Sequence, residues 1–561
     1  MNKVSKKIVL GVEDFKEIID NNIYFADKTM LIENFFDHLS KVVIVTRPHK
    51  FGKSVNMSML RRFLEDERTE QGERIDNRYL FDGLAVSRCD EDILKHQQQY
   101  PVISFSFKEA RGSSFEETWQ KVCEAIAAEF RRHRYVLECE KLLQWQIDEY
   151  IDFMNGTAKP SRYTTAPELL SGCLDKYHGS CIYLLADAYD TPLEYAYRYG
   201  FYNEMADYIC NMYGCVCKSN PHLERAVLTG ILDVAEIRPP DIFNNFTTND
   251  IFSHHQDECF GFTQEDTEAA LEFYGLSDCI DKVREWYGNY SLGSRNIYNQ
   301  WSVLSYIKHA CESGDKTPQA YWPAPSYVDI VEDILYNKNH IYGSVEDLMN
   351  GRTVESWLHY LLTWEDIDGF DTGWHFLAAA GYLVPERLHI EGDDRYMEFA
   401  IPNVEVKTIY RQIKLERFIS IVDRVDREPI VRALEQGDCD EAGIFISRLL
   451  ANAIDCVDFT ESFYYEFMVK LLSKTDYKVD SENGSNMVFK DDRGNRAIIL
   501  EFTIADNIRQ LEAKCDEALK QIDGEKYADE ITESRYDIVQ KYGISFCKQE
   551  CMIKQGEMYR K

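Results

Sequence analysis

The stretch from Lys41 to Leu60, KVVIVTRPHKFGKSVNMSML, constrains the fold more than any other part of the chain. Val42 to Val45 is a short β-branched run followed by turn residues, so it predicts a buried strand. From Gly52 the apolar positions take up helical spacing. The first N–H groups of a helix lack partners within it and lie at the positive end of its dipole, so a helix start attracts anions. Gly52-Lys53-Ser54 adds a point charge and a hydroxyl able to ligate Mg2+. The common spacing of phosphate-binding loops puts a Gly five residues before Gly-Lys-Ser, and Arg47 stands there. Taken alone, the tripeptide leaves an ordinary strand-turn-helix open.

A second buried run, Cys181 to Leu185, leads to Asp187 and Tyr189-Asp190-Thr191-Pro192. An acidic residue just past a strand is how a phosphate-loop protein holds Mg2+. Tyr100 to Phe107 and Ala226 to Ile231 read as further strands, and Phe115 to Glu138 as a long amphipathic helix. Strands alternating with helices predict a parallel α/β sheet covered on both faces. Ligands then sit at the carboxyl ends of the strands, where Lys53 and Asp187 both fall.

TRPHKFGKSVNMSML resembles the TRP-basic-basic-FGKS-x-N-x-SML signature of the bacterial and archaeal AAA-ATPase-like family, P-loop proteins commonly fused to a C-terminal PD-(D/E)XK nuclease-like domain. In that family an Arg at the place of Arg47 is ordinary. The resemblance continues through GVEDFKEIIDNNIYFADKT (11–29), LADAYDTP (185–192), ERAVLTGIL (224–232), ECFGFTQED (258–266), EWYGNY (285–290), IYNQWSVL (297–304), AAAGYLV (378–384), IPNVEV (401–406) and ALKQIDGEKY (518–527). It implies a P-loop NTPase sheet that binds ATP with Mg2+. Arg47, Phe51, Gly52, Lys53, Ser54 and Thr229 would then lie at the nucleotide, and Ser54 and Asp187 at the metal. Asp27-Lys28-Thr29 would lie near the nucleotide, although Asp and Thr ahead of an apolar helix also serve as caps. One departure bears on turnover. The family has Glu after the strand Asp to orient the attacking water, whereas Asp187 is followed by Ala188; Asp190 could substitute only if its loop bends toward the terminal phosphate. After Thr229, the family's basic residue and serine-rich loop give way to Asp233, Ala235 and Arg238-Pro239-Pro240.

The expected order is an ATPase-like domain with its lid over 1–315, a helical winged-helix-like module over 316–410, a helical connector over 411–455, and a PD-(D/E)XK-like α/β domain over 456–561. Winged helices often contact DNA, but Glu391, Asp393 and Asp394 at the tip of this wing favour packing within the chain. In the last domain the nuclease chemistry needs two carboxylates for Mg2+ and a Lys against the developing charge. The resemblance places these at Asn486, Glu501 and Thr503, so Glu501 alone keeps its type, and Asn483-Gly484-Ser485 replaces the family's Gly-Arg. Gln521 and Tyr527 keep the landmark of the following helix. An amide oxygen is a weak, uncharged Mg2+ ligand and Thr offers no cation.

At 561 residues the chain predicts several domains, and it has no apolar run long enough to span a bilayer. Sixteen scattered cysteines in a long chain read as reduced thiols, which together with the absence of a signal segment gives a cytoplasmic expectation. A net charge of −33 excludes non-specific nucleic-acid binding through the overall field. A nucleic-acid partner would need a local basic patch, the densest being Arg61-Arg62 and Arg131 to Arg134, which read more simply as solvated helix faces. The reading that follows is an ATP-binding switch or scaffold with a degenerate nuclease-like domain. The alternatives are an active ATP-dependent nuclease acting on foreign or mobile DNA, and a binding module without nucleotide. A protein partner or oligomer stays open.

Overall fold

A computed structural model describes residues 6–37, 40–233, 246–253, 257–293, 295–322, 328–336, 342–358, 364, 367, 372–392, 394–453, 457, 459–473, 475, 477–480, 486–491, 496–524 and 536–561. The expectations resting on Ala235, Arg238 to Pro240, Asp393, Asn483 to Ser485 and Tyr527 lie outside them. The chain divides into two compact units, Met1–Lys407 and Thr408–Lys561.

The first unit is built on five strands: β1 (Val42–Thr46), β2 (Val102–Ser106), β3 (Ile182–Asp187), β4 (Leu223–Gly230) and β5 (Phe246–Asn249). They form one sheet in the order β2-β3-β4-β1-β5, parallel at every pairing. All five residues of β1 and all six of β3 are buried, which is why both read as unbroken apolar runs. The helix Lys53–Leu64 lays Met57, Met59, Leu60, Phe63 and Leu64 against Val43 and Val45 of β1. Strand β4 lies between β1 and β3, so Thr229 pairs in register with Val45 on one side and Asp187 on the other.

Past the sheet, helices Gln264–Phe273, Ile280–Tyr287 and Gln300–Ser313 pack around Phe262, Tyr287, Tyr298, Val303 and Tyr306, with the hairpin β6 (Tyr290–Leu292) and β7 (Arg295–Ile297). Asp27-Lys28-Thr29 resolves as a tether. Asp27 accepts from Thr29 N (3.0 Å) and Ala85 N (2.7 Å), Thr29 Oγ1 accepts from Val86 N (3.1 Å), and Lys28 pairs with Asp266 at 2.5 Å. The wing is a three-stranded antiparallel sheet of β8 (Val354–Trp357), β9 (Val384–Glu391) and β10 (Asp394–Ala400) in the order β8-β10-β9, with helix Thr372–Ala380 between β8 and β9 in the chain.

Opposite the carboxyl ends of the first sheet, Arg61, Arg62 and Arg132 of the two basic clusters turn inward. Arg132 donates to Glu129 (2.5 Å), Glu65 and the carbonyl of Val102 (2.7 Å). Arg61 binds Glu65 (2.7 Å) and Arg62 binds Glu67 (2.6 Å) and Asp14 (2.8 Å). Glu65, Glu129 and His133 are buried. These cations balance internal carboxylates, which corrects the expectation of solvated faces for Arg61, Arg62 and Arg132, whereas Arg131 and Arg134 are exposed. Burial alone would push the Glu65 carboxyl up, but Arg132 and Arg61 hold it down to about 2.

The second unit carries β11 (Lys478–Asp480), β12 (Asn486–Asp491), β13 (Arg496–Ile504), β14 (Ile538–Cys547), β15 (Glu550–Gln555) and β16 (Tyr559–Arg560). The sheet runs β11-β12-β13-β14-β15, antiparallel except for β13 and β14, and β16 pairs with β14. A parallel pair needs a crossover, and helix Leu511–Gly524 lies between β13 and β14 in the chain. Ile498, Leu500 and Phe502 share a core with Tyr464, Phe467 and Leu471 of helix Glu461–Leu472. Ile430, Leu434, Ile446 and Leu450, from helices Glu428–Gln436 and Cys439–Leu450, enter that same core. Side chains from the stretch expected to be a connector over 411–455 thus pack into the core of this unit.

Candidate functional site

At the carboxyl ends of the first sheet lies a cavity of about 580 Å³, within the range of small-molecule sites. Its floor is the loop between β1 and helix Lys53–Leu64. Gly52 takes φ +79°, and a Cβ there would come 2.6 Å from Gln300 Oε1, so the turn needs glycine. Lys53 Nζ donates to the carbonyls of Arg47 (2.6 Å) and Pro48 (2.8 Å), folding the loop around its ammonium. Burial loosens that proton to about 8 against the pull of Asp187 and Asp190. Lys50, Lys108 and Arg111 also line the cavity, a local gathering of cations interleaved with Glu13, Asp187 and Asp190 in a chain of net charge −33.

Ser54 Oγ donates to Asp187 Oδ2 (2.7 Å), and Thr229 Oγ1 donates to Asp187 Oδ1 (2.7 Å). Three elements thus fix one carboxylate: the helix start, the end of β3 and the inserted strand β4. A serine hydroxyl and a carboxylate on one face are hard oxygen donors of the kind Mg2+ takes beside phosphates, so these residues fit that ion. Asp190 is committed elsewhere. Its Oδ2 accepts from Ile231 N (2.8 Å) and Leu232 N (3.0 Å), clasping the end of β4, and burial raises its proton affinity. Ala188 lines the cavity at φ +53° and offers no acid or base.

Of the residues expected at the nucleotide, Gly52, Lys53, Ser54 and Asp187 face the cavity. Arg47, Phe51 and Thr229 stand behind its wall. Arg47 is fully buried and donates to the carbonyls of Thr46 (2.9 Å), Asn249 (2.8 Å) and Asp250 (2.7 Å), with its guanidinium over the Phe260 ring. It locks β1 to β5 instead of reaching into the cavity. Phe51 packs edge-on against Tyr290, and its carbonyl accepts from Gly261 N (2.9 Å). The sequence reading missed the walls: Val9 to Glu13, Tyr24 and Phe25 on one side, and Trp301, Trp322 and Tyr382 from far along the chain. Lys50 Nζ lies 4.1 Å from the Trp301 ring centre, a cation–π contact. Gly11 to Glu13, Tyr24, Phe25, Trp301 and Tyr382 stood inside recognised motifs without being marked as wall residues, and nothing local marked Val9, Leu10 or Trp322.

In the second unit, Asn486 pairs with Glu501, which pairs in turn with Gly543 of β14. Ala497 and Ile499 pack with Ile522 of helix Leu511–Gly524, so alternation puts Glu501 and Thr503 on that helix's face. Thr503 Oγ1 donates to Lys514 O (3.1 Å) and lies 3.3 Å from Ile544 O. Glu501 is buried. A Cβ on Gly543 would meet Cys515 O at 2.3 Å, so the helix lies close over this register. Gln521 is on the same helix but exposed.

A strand, a glycine turn, a helix and an acidic strand end come together on one parallel sheet, and the second unit is a mixed α/β fold. Comparison with known families gives the same two parts. Residues 9–238 match the AAA-ATPase-like family, described as a predicted AAA-ATPase, and residues 459–556 match a PD-(D/E)XK nuclease superfamily domain. The chain thus carries a region that matches the AAA-ATPase-like family and a C-terminal region that matches the PD-(D/E)XK nuclease superfamily. It is 22% identical over 418 residues to an uncharacterised protein encoded in the vnfD 5′ region of Azotobacter chroococcum, covering 74% of this chain and 71% of that protein. A Walker-type ATPase of Pyrococcus abyssi aligns over 72% of this chain and 98% of its own, at 13% identity and a TM-score of 0.34. Among the described residues no helix is long and apolar enough to cross a membrane, and every cysteine is a free thiol.

Proposed function

We propose that this protein is a cytoplasmic ATP-binding switch or scaffold whose phosphate loop holds ATP with Mg2+ and whose nuclease-like domain no longer cuts. The observation that carries the reading is Lys53, an ammonium at the start of helix Lys53–Leu64, facing a cavity beside the bonded Ser54–Asp187–Thr229 set. The N–H groups of that helix start and Lys53 would hold the β- and γ-phosphates, and Ser54 and Asp187 would hold Mg2+. When bound, the ion neutralises charge on the phosphates. Arg47, Phe51 and Thr229 act at one remove, fixing the loop and the Asp187 carboxylate. Ala188 cannot orient water and Asp190 is held by backbone N–H groups, so bound ATP turns over slowly.

In the nuclease-like unit Glu501 is left without a second carboxylate at position 486 or a Lys at position 503, so metal-dependent cleavage is lost. The second reading, an active ATP-dependent nuclease, draws on the register of Asn486 with Glu501, which keeps the two strand positions side by side. DNA cleavage by the purified protein with Mg2+ or Mn2+, abolished by Glu501→Ala, would establish it. For the nucleotide the test is calorimetry with Mg-ATP. Lys53→Ala removes a charged hydrogen-bond donor and should cost about 1.5–3 kcal/mol of binding. Equal affinity in wild type and variant would place the nucleotide elsewhere or remove it from the account.

A further inference from the structure

Lys108 follows β2 and was not expected at the site, yet it reaches the two residues assigned to the metal. Its Nζ bonds Ser54 Oγ, lies 3.3 Å from Asp187 Oδ2 and pairs with Glu13 Oε2 at 2.5 Å. Asp187 is largely buried, whereas the Glu13 side chain is half-exposed in the N-terminal wall of the cavity. The ammonium therefore sits in a cradle of serine, aspartate and glutamate oxygens, with one partner deep and one at the rim.

We propose that Lys108 is a built-in exchangeable cation that competes with the divalent ion for the Ser54 and Asp187 oxygens and retires onto Glu13 when the ion binds. This deepens the reading of the cavity as a metal–nucleotide site and rests on it. The physical argument is one of space and charge. An ammonium in contact with the serine hydroxyl and 3.3 Å from the carboxylate leaves no room for an ion that needs the same two oxygens at about 2.1 Å. Two cations on one carboxylate would also repel, and Lys53 and Arg111 already line this part of the cavity. Glu13 gives the displaced ammonium a partner without a long excursion. Metal binding is thus an exchange of cations, and it is weaker than the oxygen set alone would allow by the free energy of moving Lys108.

The test is titration with Mn2+ alone, without nucleotide, following free Mn2+ by electron paramagnetic resonance. Lys108→Met keeps the stem and removes the charge, and should bind one Mn2+ about tenfold more tightly than wild type, the scale of one charge-assisted hydrogen bond. Lys108→Arg retains a cation and should stay close to wild type. Adding Asp187→Asn to Lys108→Met should abolish the gain. Circular dichroism on every variant separates these effects from misfolding. Equal Mn2+ affinity in wild type and Lys108→Met, or a tighter site that survives Asp187→Asn, overturns the proposal. A parallel ATP titration at rising Mg2+ keeps the two readings apart. Loss of ATP binding by wild type with the Mn2+ result intact removes the nucleotide and leaves the exchange, while ATP binding with unchanged Mn2+ affinity removes the exchange alone.

Discussion

The carboxyl ends of the first sheet and the Glu501 face of the second both present one acidic residue near the end of a buried strand, and they surround it differently. Asp187 receives hydroxyls from Ser54 and Thr229 and stands near the Lys108 ammonium, so three separate elements orient it toward an open cavity. Glu501 has Asn486 and Gly543 in its register and Thr503 two residues on, whose hydroxyl is spent on a helix carbonyl. A carboxylate is cheap to retain; what gives it a task is the set of charges and donors around it. On our reading the first site keeps enough of that set to bind nucleotide and lacks a residue to activate water, and the second lacks the carboxylate and the Lys that the resemblance calls for at positions 486 and 503.

The largest effect we expect lies beneath the first site. Arg132→Ala leaves buried Glu65 and Glu129 without their shared cation and should destabilise the first unit by about 3–5 kcal/mol, read by denaturant unfolding. A small loss would mean that the frame under the cavity does not depend on this network. The same network sets an acid limit. The Glu65 carboxyl lies at about 2 in the folded chain against an ordinary value of 4.5. Its contribution is therefore fully present above pH 4.5 and lost as the pH falls from there toward about 2. Melting temperatures across that window should fall in wild type, and the fall should be shallower in Glu65→Gln.

Next come the two restorations, each expected to raise a rate about 100-fold if the missing group alone limits chemistry. Ala188→Glu should raise ATP turnover without tightening ATP binding. The paired change Asn486→Asp with Thr503→Lys should yield metal-dependent DNA cleavage, with either change alone giving little because both act on one constellation. Wild-type turnover at an ordinary ATPase rate would break the comparison at the first site. The smallest effect should come from Thr229→Val. Removing the hydroxyl that holds Asp187 Oδ1 should raise the half-saturating Mg2+ for ATP binding by about 1.5 kcal/mol of metal affinity, at the low end for a hydrogen bond to a charged group.

Much of the first site was legible in the sequence because its chemistry is local. Strand β1, the turn at Gly52 and the helix from Lys53 are contiguous, and Asp187 follows a run whose burial is visible in its composition. Asn486 and Glu501 were singled out by the resemblance alone, and their pairing across β12 and β13 is seen only in the structure. The order that puts β4 between β1 and β3 is tertiary and left no local mark, and the short edge strand β5 escaped notice. Lys108 sits in a run of aromatic and charged residues indistinguishable from an ordinary strand end. The resemblance put Arg47 at the nucleotide, but carbonyls at the end of β5 and just beyond claim its guanidinium. Arg61 and Arg132 looked solvated because their acidic partners are distant in sequence or hidden inside helices.

One measurement sets the two regions side by side in a single sample: amide hydrogen exchange read by mass spectrometry, with no addition, with Mg2+ alone, and with Mg2+ and ATP. We expect protection to rise with Mg2+ and ATP in peptides covering Pro48 to Val55 and Asp187 to Asp190, with no change from Mg2+ alone in the strands carrying Asn486 and Glu501. Protection of those two strands by Mg2+, or an unchanged phosphate loop in saturating Mg-ATP, would contradict the division of a working nucleotide site from a silent nuclease-like one.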